Sequence, residues 1–309
     1  MTPKLIRALL ACSLIVSAAT VWASNDGYTK TKYPIVLVHG MAFYDDLLGI
    51  SGWYSIPHQL RKGGAEVYVV QVSALNSTEL RGEQLIKQLE VILASSGAEK
   101  LNLIGHSHGS PTARYAAAFY PEYVASITSV GGVNWGTPVA DLSLQDLNDK
   151  TLKGWLYNST LMSWARMINV LSGNPLPQSY YEEMVALSTE KALQFNQDFP
   201  AGMPTEYCGE GEAVDANGTY YFSWGGTKQV TNLADPLDLG MTLSARLMDE
   251  PNDGLVPACS THFGKVIRDN YRMNHLDLVD QVLGLHGFWG TDPAVVYRQH
   301  ANRLKLLGL

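Results

Sequence analysis

Cysteine is scarce in this chain of 309 residues: Cys12, Cys208 and Cys259 are the only three. Charged residues are few as well, at 17%, and the formal net charge is −7 with no long basic run. Nothing in that balance offers the electrostatic footprint that nucleic acid requires. Internal repeats, low-complexity tracts and linker-like stretches are also missing, which points to one domain. No apolar run reaches the roughly 20 residues of a membrane span. The longest, Ala8 to Trp22, follows the basic Lys4 and Arg7 and ends in Val21-Trp22-Ala23. Those are the marks of an export signal cleaved after Ala23. Removing it takes Cys12 and two positive charges, and leaves residues 24–309 at −9. With only Cys208 and Cys259 remaining in an exported chain, one disulfide is expected.

Against those absences stand 46% hydrophobic residues, enough for a large core. Ile35 to Val38 and Val67 to Val72 read as buried strands. Trp53 to Lys62 reads as a helix closed by Gly63-Gly64. Ser77 to Ser96 reads as a helix with its apolar face through Leu85, Ile86, Leu89, Ile92 and Leu93. Asn76 and Glu79 are its expected capping box, and Gly97 its stop. Leu101 to Ile104 is a third strand, Pro111 to Tyr120 a helix, and Val124 to Val130 a fourth strand. Strands alternating with helices predict a mostly parallel sheet covered on both faces.

Between the third strand and its helix lies Gly105-His106-Ser107-His108-Gly109. Gly-x-Ser-x-Gly between a strand and a helix predicts a turn too tight for side chains at the glycines. It would expose the Ser107 hydroxyl at a helix N-terminus. A serine needs a base and an orienting carboxylate to act as nucleophile, and sheets of this kind place them in the chain order Ser, acid, His. His39, His58 and His106 precede Ser107, and His108 is expected to point off the turn. The base therefore comes from His262, His275, His286 or His300, among which spacing does not choose. Asp253, in the turn Pro251-Asn252-Asp253-Gly254-Leu255-Val256-Pro257, is the preferred acid. The oxyanion needs two N–H donors; the His108 amide is one, and Met41, after His39-Gly40 at the end of the first strand, is the other. From Asp141 to Gly173 large apolar residues crowd together, among them Trp155, Leu156, Leu161, Trp164 and Ile168. Periodicity alone reads this stretch as a core helix.

The segments "YPIVLVHGM", "LNLIGHSHGSPTARY", "YYFSWGG", "NDGLVPACSTHFGKVIRDNYRMNHLDLVDQV" and "VYRQHANRLK" resemble the secreted Pseudomonas-type triacylglycerol lipases that need a dedicated foldase. The resemblance implies an α/β-hydrolase fold with helices on both faces of the sheet and a helical lid about residues 141–173. It implies Ser107 as nucleophile, Asp253 as acid and His275 as base, with Met41 and His108 as oxyanion donors. It further implies one structural Ca2+ at Asp235, Asp277, Gln281 and the Leu285 carbonyl, and a Cys208–Cys259 disulfide. Without it, Asp235 and Asp277 read as solvated surface acids. The implied activity is hydrolysis of long-chain triacylglycerol esters at a lipid–water interface by a protein secreted through the periplasm. Where the family often has glycine, this chain has Ser110.

Overall fold

A computed structural model describes residues 27–47, 49–287 and 290–309. The expected signal segment, 1–23, lies outside them. Six strands form one sheet: β1 (Ile35–Val38), β2 (Val67–Val70), β3 (Leu101–His106), β4 (Val124–Val130), β5 (Tyr220–Gly226) and β6 (Lys265–Tyr271). Their order is β2-β1-β3-β4-β5-β6, and every pairing is parallel. The helices between them are α1 (Ile56–Lys62), α2 (Thr78–Ser96) and α3 (Gly109–Phe119). Then come α4 (Pro138–Asn148), α5 (Leu152–Leu171), α6 (Tyr180–Leu187), α7 (Thr189–Asp198), α8 (Asp238–Ala245) and α9 (Pro293–Leu306).

Alternation along β1 divides the core. Val36 and Val38 pack with Leu85 and Leu89 of α2 and Ala113 and Ala116 of α3. Ile35 and Leu37 face the other way, onto Ile56 and Leu60 of α1 and Val296, Tyr297 and Ala301 of α9. A sheet covered on both faces explains why β1, β3 and β4 are buried at every position. α4, α5 and α6 form a third cluster with Val133 and Val256, which lie in the loops after β4 and β5.

Sequence expectations for these elements hold, with shifted ends. α1 begins at Ile56 rather than Trp53, β2 stops at Val70, and α3 already begins at Gly109. The cap of α2 is Ser77, whose Oγ accepts from the Leu80 amide at 3.3 Å, and not Asn76. Asn76 instead donates its side-chain amide to Pro177 O at 3.0 Å, a partner about a hundred residues away that local propensity cannot see. α5 is not a core helix. Gly154, Ala165 and Ile168 are its buried residues, while Leu152, Trp155, Leu156 and Val170 are exposed.

Candidate active site

Parallel strands bring their carboxyl ends to one edge of the sheet, and loops after five of them converge there. β3 contributes the sharpest turn. Ser107 takes φ +54°, a left-handed conformation that costs a non-glycine residue about 1–2 kcal/mol. A Cβ on Gly105 would lie 2.3 Å from Gly109 O, and one on Gly109 would lie 2.1 Å from Val38 O. Both glycines are therefore steric requirements, as the motif predicts. The Ser107 amide donates to Val130 O at 3.0 Å, which fastens the turn to β4. Ser107 itself is 6% exposed, so its hydroxyl opens onto a cavity and not onto bulk solvent.

Four histidines were open as candidate bases. His262 Nδ1 lies 2.8 Å from Gly209 O, His286 Nδ1 3.0 Å from an Asp280 carboxyl oxygen, and His300 Nε2 2.8 Å from Thr128 Oγ1. Only His275 of the four faces Asp253, with Nδ1 2.7 Å from Oδ2, and lines the cavity with Ser107. The other oxygen of Asp253 accepts from the Leu255 and Val256 amides at 3.0 and 2.8 Å. A carboxylate held in this way accepts, so the proton sits on His275 Nδ1 and Nε2 keeps its lone pair. Asp253 is 0% and His275 3% exposed, which strengthens their interaction. Behind His275 the His106 ring packs at 4.6 Å. Burial, aided by the neighbouring His275, holds His106 well below the usual imidazole range.

The Met41 and His108 amides donate to no backbone carbonyl among the described residues, and Met41 borders the cavity. A Cβ on Gly40 would meet Ser107 Cβ at 2.6 Å, so the loop after β1 passes directly against the serine. The His108 side chain departs from expectation. It does not point off the turn but is fully buried, between Glu183 at 2.7 Å and Thr78 at 2.8 Å. Ser110, buried in the first turn of α3, donates to Asn134 Oδ1 at 2.9 Å.

The cavity measures about 490 Å³. Its walls are mainly apolar: Val139 and Leu142 of α4, Leu161 of α5, Met184 and Leu187 of α6, and Leu243 of α8. α8 went unrecognised in the sequence. It also exposes Leu239 and Leu243, beside the exposed Leu237 and Leu247.

Asp235 and Asp277 are not the solvated acids that local sequence suggests; they are 5% and 1% exposed. Burial raises the Asp277 carboxyl to about 6, with nearby Asp238 adding to the rise. Burial likewise raises Asp235, and Asp238 again contributes. Asp238, itself buried, accepts from the Thr231 and Asn232 amides at 2.7 and 2.9 Å and from Asn274 Nδ2 at 2.6 Å. Among the described residues no ion pair reaches any of the three carboxylates. Asn232 Nδ2 also donates to His286 O at 3.1 Å, which joins the Leu285 turn to the loop carrying Asp235. Gln281 opens that turn, and its side-chain amide donates to Gly52 O. Buried carboxylates without a cationic partner are the donors that a hard, oxygen-seeking divalent cation such as Ca2+ takes. Cys208 and Cys259 are joined with Cα atoms 4.5 Å apart, within the ordinary disulfide span.

Comparison with known proteins agrees with the fold. Residues 33–230 match the family model described as alpha/beta hydrolase fold. A triacylglycerol lipase of Vibrio cholerae serotype O1 is 49% identical, over 98% of this chain and 99% of its own. One from Pseudomonas fragi is 37% identical, over 92% of this chain and 100% of its own. The mature Bacillus licheniformis lipase BlEst2 superposes with a TM-score of 0.61 at 18% identity, covering 89% of this chain and 93% of that one, which bears on the fold alone. From fold, near-full-length identity and a serine that shares its cavity with His275, this chain belongs to the bacterial triacylglycerol lipases of the α/β-hydrolase fold.

Proposed function

We propose that the protein hydrolyses long-chain triacylglycerols through an acyl-enzyme on Ser107. His275 Nε2 takes the Ser107 proton as Oγ attacks the ester carbonyl carbon. The Met41 and His108 amides hold the oxyanion, and Asp253 stabilises the imidazolium. Collapse expels the diacylglycerol oxygen, which takes the proton from His275. Water, giving its proton to His275, then attacks the acyl carbonyl, and the fatty acid leaves as Ser107 regains its hydrogen. The observation that carries this reading is that His275, 2.7 Å from Asp253, lines the same cavity as a serine held at positive φ.

The substrate class follows from the walls. An apolar cavity of about 490 Å³ suits an acyl chain. The exposed apolar residues of α5 and α8 beside its mouth suit a lipid–water interface, with residues 141–173 as the lid. Asp235, Asp277, Gln281 and Leu285 would hold Ca2+, which would neutralise the buried carboxylates and brace the loop bearing His275. The ion supplies structure and takes no part in bond making. We place the mature protein outside the cell, reached through the periplasm with help from a dedicated foldase. Among the described residues no helix is long and apolar enough to cross a membrane.

The test compares the wild type with Ser107→Ala on an emulsified long-chain triacylglycerol and a soluble short-chain ester. Loss of a triad nucleophile costs roughly 10⁶ in turnover. Substantial residual hydrolysis by the variant refutes the nucleophile. Wild-type cleavage of the soluble ester alone refutes the lipid substrate.

A further inference from the structure

His108 follows the nucleophile, and its side chain has its own partners. Nδ1 lies 2.7 Å from Glu183 Oε1, a residue 75 positions away on α6. Nε2 lies 2.8 Å from Thr78 Oγ1 at the start of α2. Glu183 Oε2 accepts from the Asn76 amide at 2.8 Å. His108 and Glu183 are 0% exposed and Thr78 3%. Glu183 accepts through both oxygens, so His108 carries its proton on Nδ1 and accepts the Thr78 hydroxyl at Nε2. Burial holds His108 below the usual imidazole range, against the opposing pull of Glu183. Both ring nitrogens are thereby used, and the ring is fixed in one tautomer and one orientation.

The helix that supplies Glu183 also walls the cavity. Tyr180, Met184 and Leu187 of α6 line it, while Glu183, on the same helix, points to the elbow. Directly after Ser107, the peptide that carries the His108 N–H is held at its carbonyl, where Ser107 O accepts from the Ser110 amide at 3.0 Å, and His108 O accepts from Thr112 Oγ1 at 2.7 Å. The His108 N–H makes no bond to a backbone carbonyl among the described residues, and α3 begins only at Gly109. The buried ring adds the restraint that reaches beyond the elbow, to α6 and α2.

We infer that Glu183 is a positioning residue: through the His108 ring it aims the His108 amide at the oxyanion and locks that amide to the acyl-binding wall formed by α6. This rests on the lipase reading proposed above. Ordinary hydrogen bonding of a core helix would stabilise the fold alone. Aiming a donor affects the transition state more than the ground state, and that difference is measurable.

The experiment uses the full mature chain and a soluble p-nitrophenyl ester, with active sites counted by the p-nitrophenol burst from a p-nitrophenyl alkylphosphonate. Glu183→Gln, His108→Ala and the double variant are compared with the wild type. A whole oxyanion donor is worth ~10²–10³ in turnover, so a misaimed one is expected to cost about tenfold in kcat per counted site. KM should stay within about twofold, and binding of an alkylboronic acid, which mimics the tetrahedral intermediate, should weaken by the same factor as kcat. The double variant should lose no more than the larger single loss, because both act through one anchor. Unchanged kcat and boronate affinity per counted site in Glu183→Gln overturn the inference. Should that variant yield too few countable sites, His108→Ala, which keeps the backbone amide, decides by the same criterion. Equal losses in kcat and in active-site count, with boronate affinity of the surviving sites unchanged, also overturn it. A wild type that neither turns over the ester nor releases the burst refutes the lipase reading itself, a result distinct from the others.

Discussion

Acid should unfold this protein through its buried histidines, and His39 allows the effect to be sized. It is 0% exposed at the end of β1, with Nδ1 2.8 Å from Gly40 O and Nε2 accepting from the Val72 amide at 3.2 Å. The neutral ring satisfies both partners; a second proton would set Nε2–H against an N–H. Burial, then the nearby Arg81, hold His39 at about 3 against an ordinary 6.5. A folded pKa below the unfolded one means the unfolded chain binds the proton first, so the stabilisation is complete above 6.5 and is lost as pH falls toward 3. At 1.36 kcal/mol per tenfold, His39 alone should withdraw about 3 kcal/mol between about pH 7.5 and about pH 4.5. His106 and His300, both buried and held well below the usual range, push the same way. That is a large part of the ~5–15 kcal/mol typical of a folded protein. Urea unfolding at the two pH values, in the wild type and in His39→Gln, measures it. The Gln oxygen can accept from Val72 but has no site to protonate. His39→Gln is expected to lower stability at neutral pH, yet to lose about 3 kcal/mol less than the wild type on acidification. Equal pH dependence in the two proteins, within about 1 kcal/mol, would refute the reasoning.

Gly109→Ala should cripple turnover and fold poorly, because its Cβ would meet Val38 O at 2.1 Å; near-normal kcat at normal yield contradicts the close-packed elbow. Chelation should lower Tm and activity together. Calcium at about a hundred times its Kd should restore about 2.7 kcal/mol, and Asp277→Asn should abolish the response, as calorimetry with and without calcium would show. Reducing the Cys208–Cys259 bond, which closes a separation of 51 residues, should cost about 2–4 kcal/mol in chemical denaturation, and no change on reduction counts against a stabilising role. Charging the α8 face by Leu239→Glu should slow hydrolysis of an emulsion several-fold but leave a soluble ester unaffected; equal effects on both substrates contradict an interfacial role.

Features set by local sterics and periodicity were legible in the sequence. The strand–helix alternation, the glycines of the elbow, the Gly97 cap and the Asp253 turn all depend on neighbours within a few residues, and the structure has them where those rules place them. Spacing left four histidines open and the family resemblance pointed to His275; the tertiary structure shows that His275 is the one that meets Asp253, 22 residues away, while the other three spend their nitrogens elsewhere. It also brought Glu183 to His108 across 75 residues and packed Asp238 among the buried acids near Asp277. No periodicity marks a buried Glu or Asp, because a helix shows which face is apolar but not which polar residue on it will meet a partner. The apolar stretch of α5 carried the same ambiguity. A core helix and a helix left exposed beside a cavity share one pattern, and only the packing of the rest of the chain leaves Trp155 and Val170 uncovered.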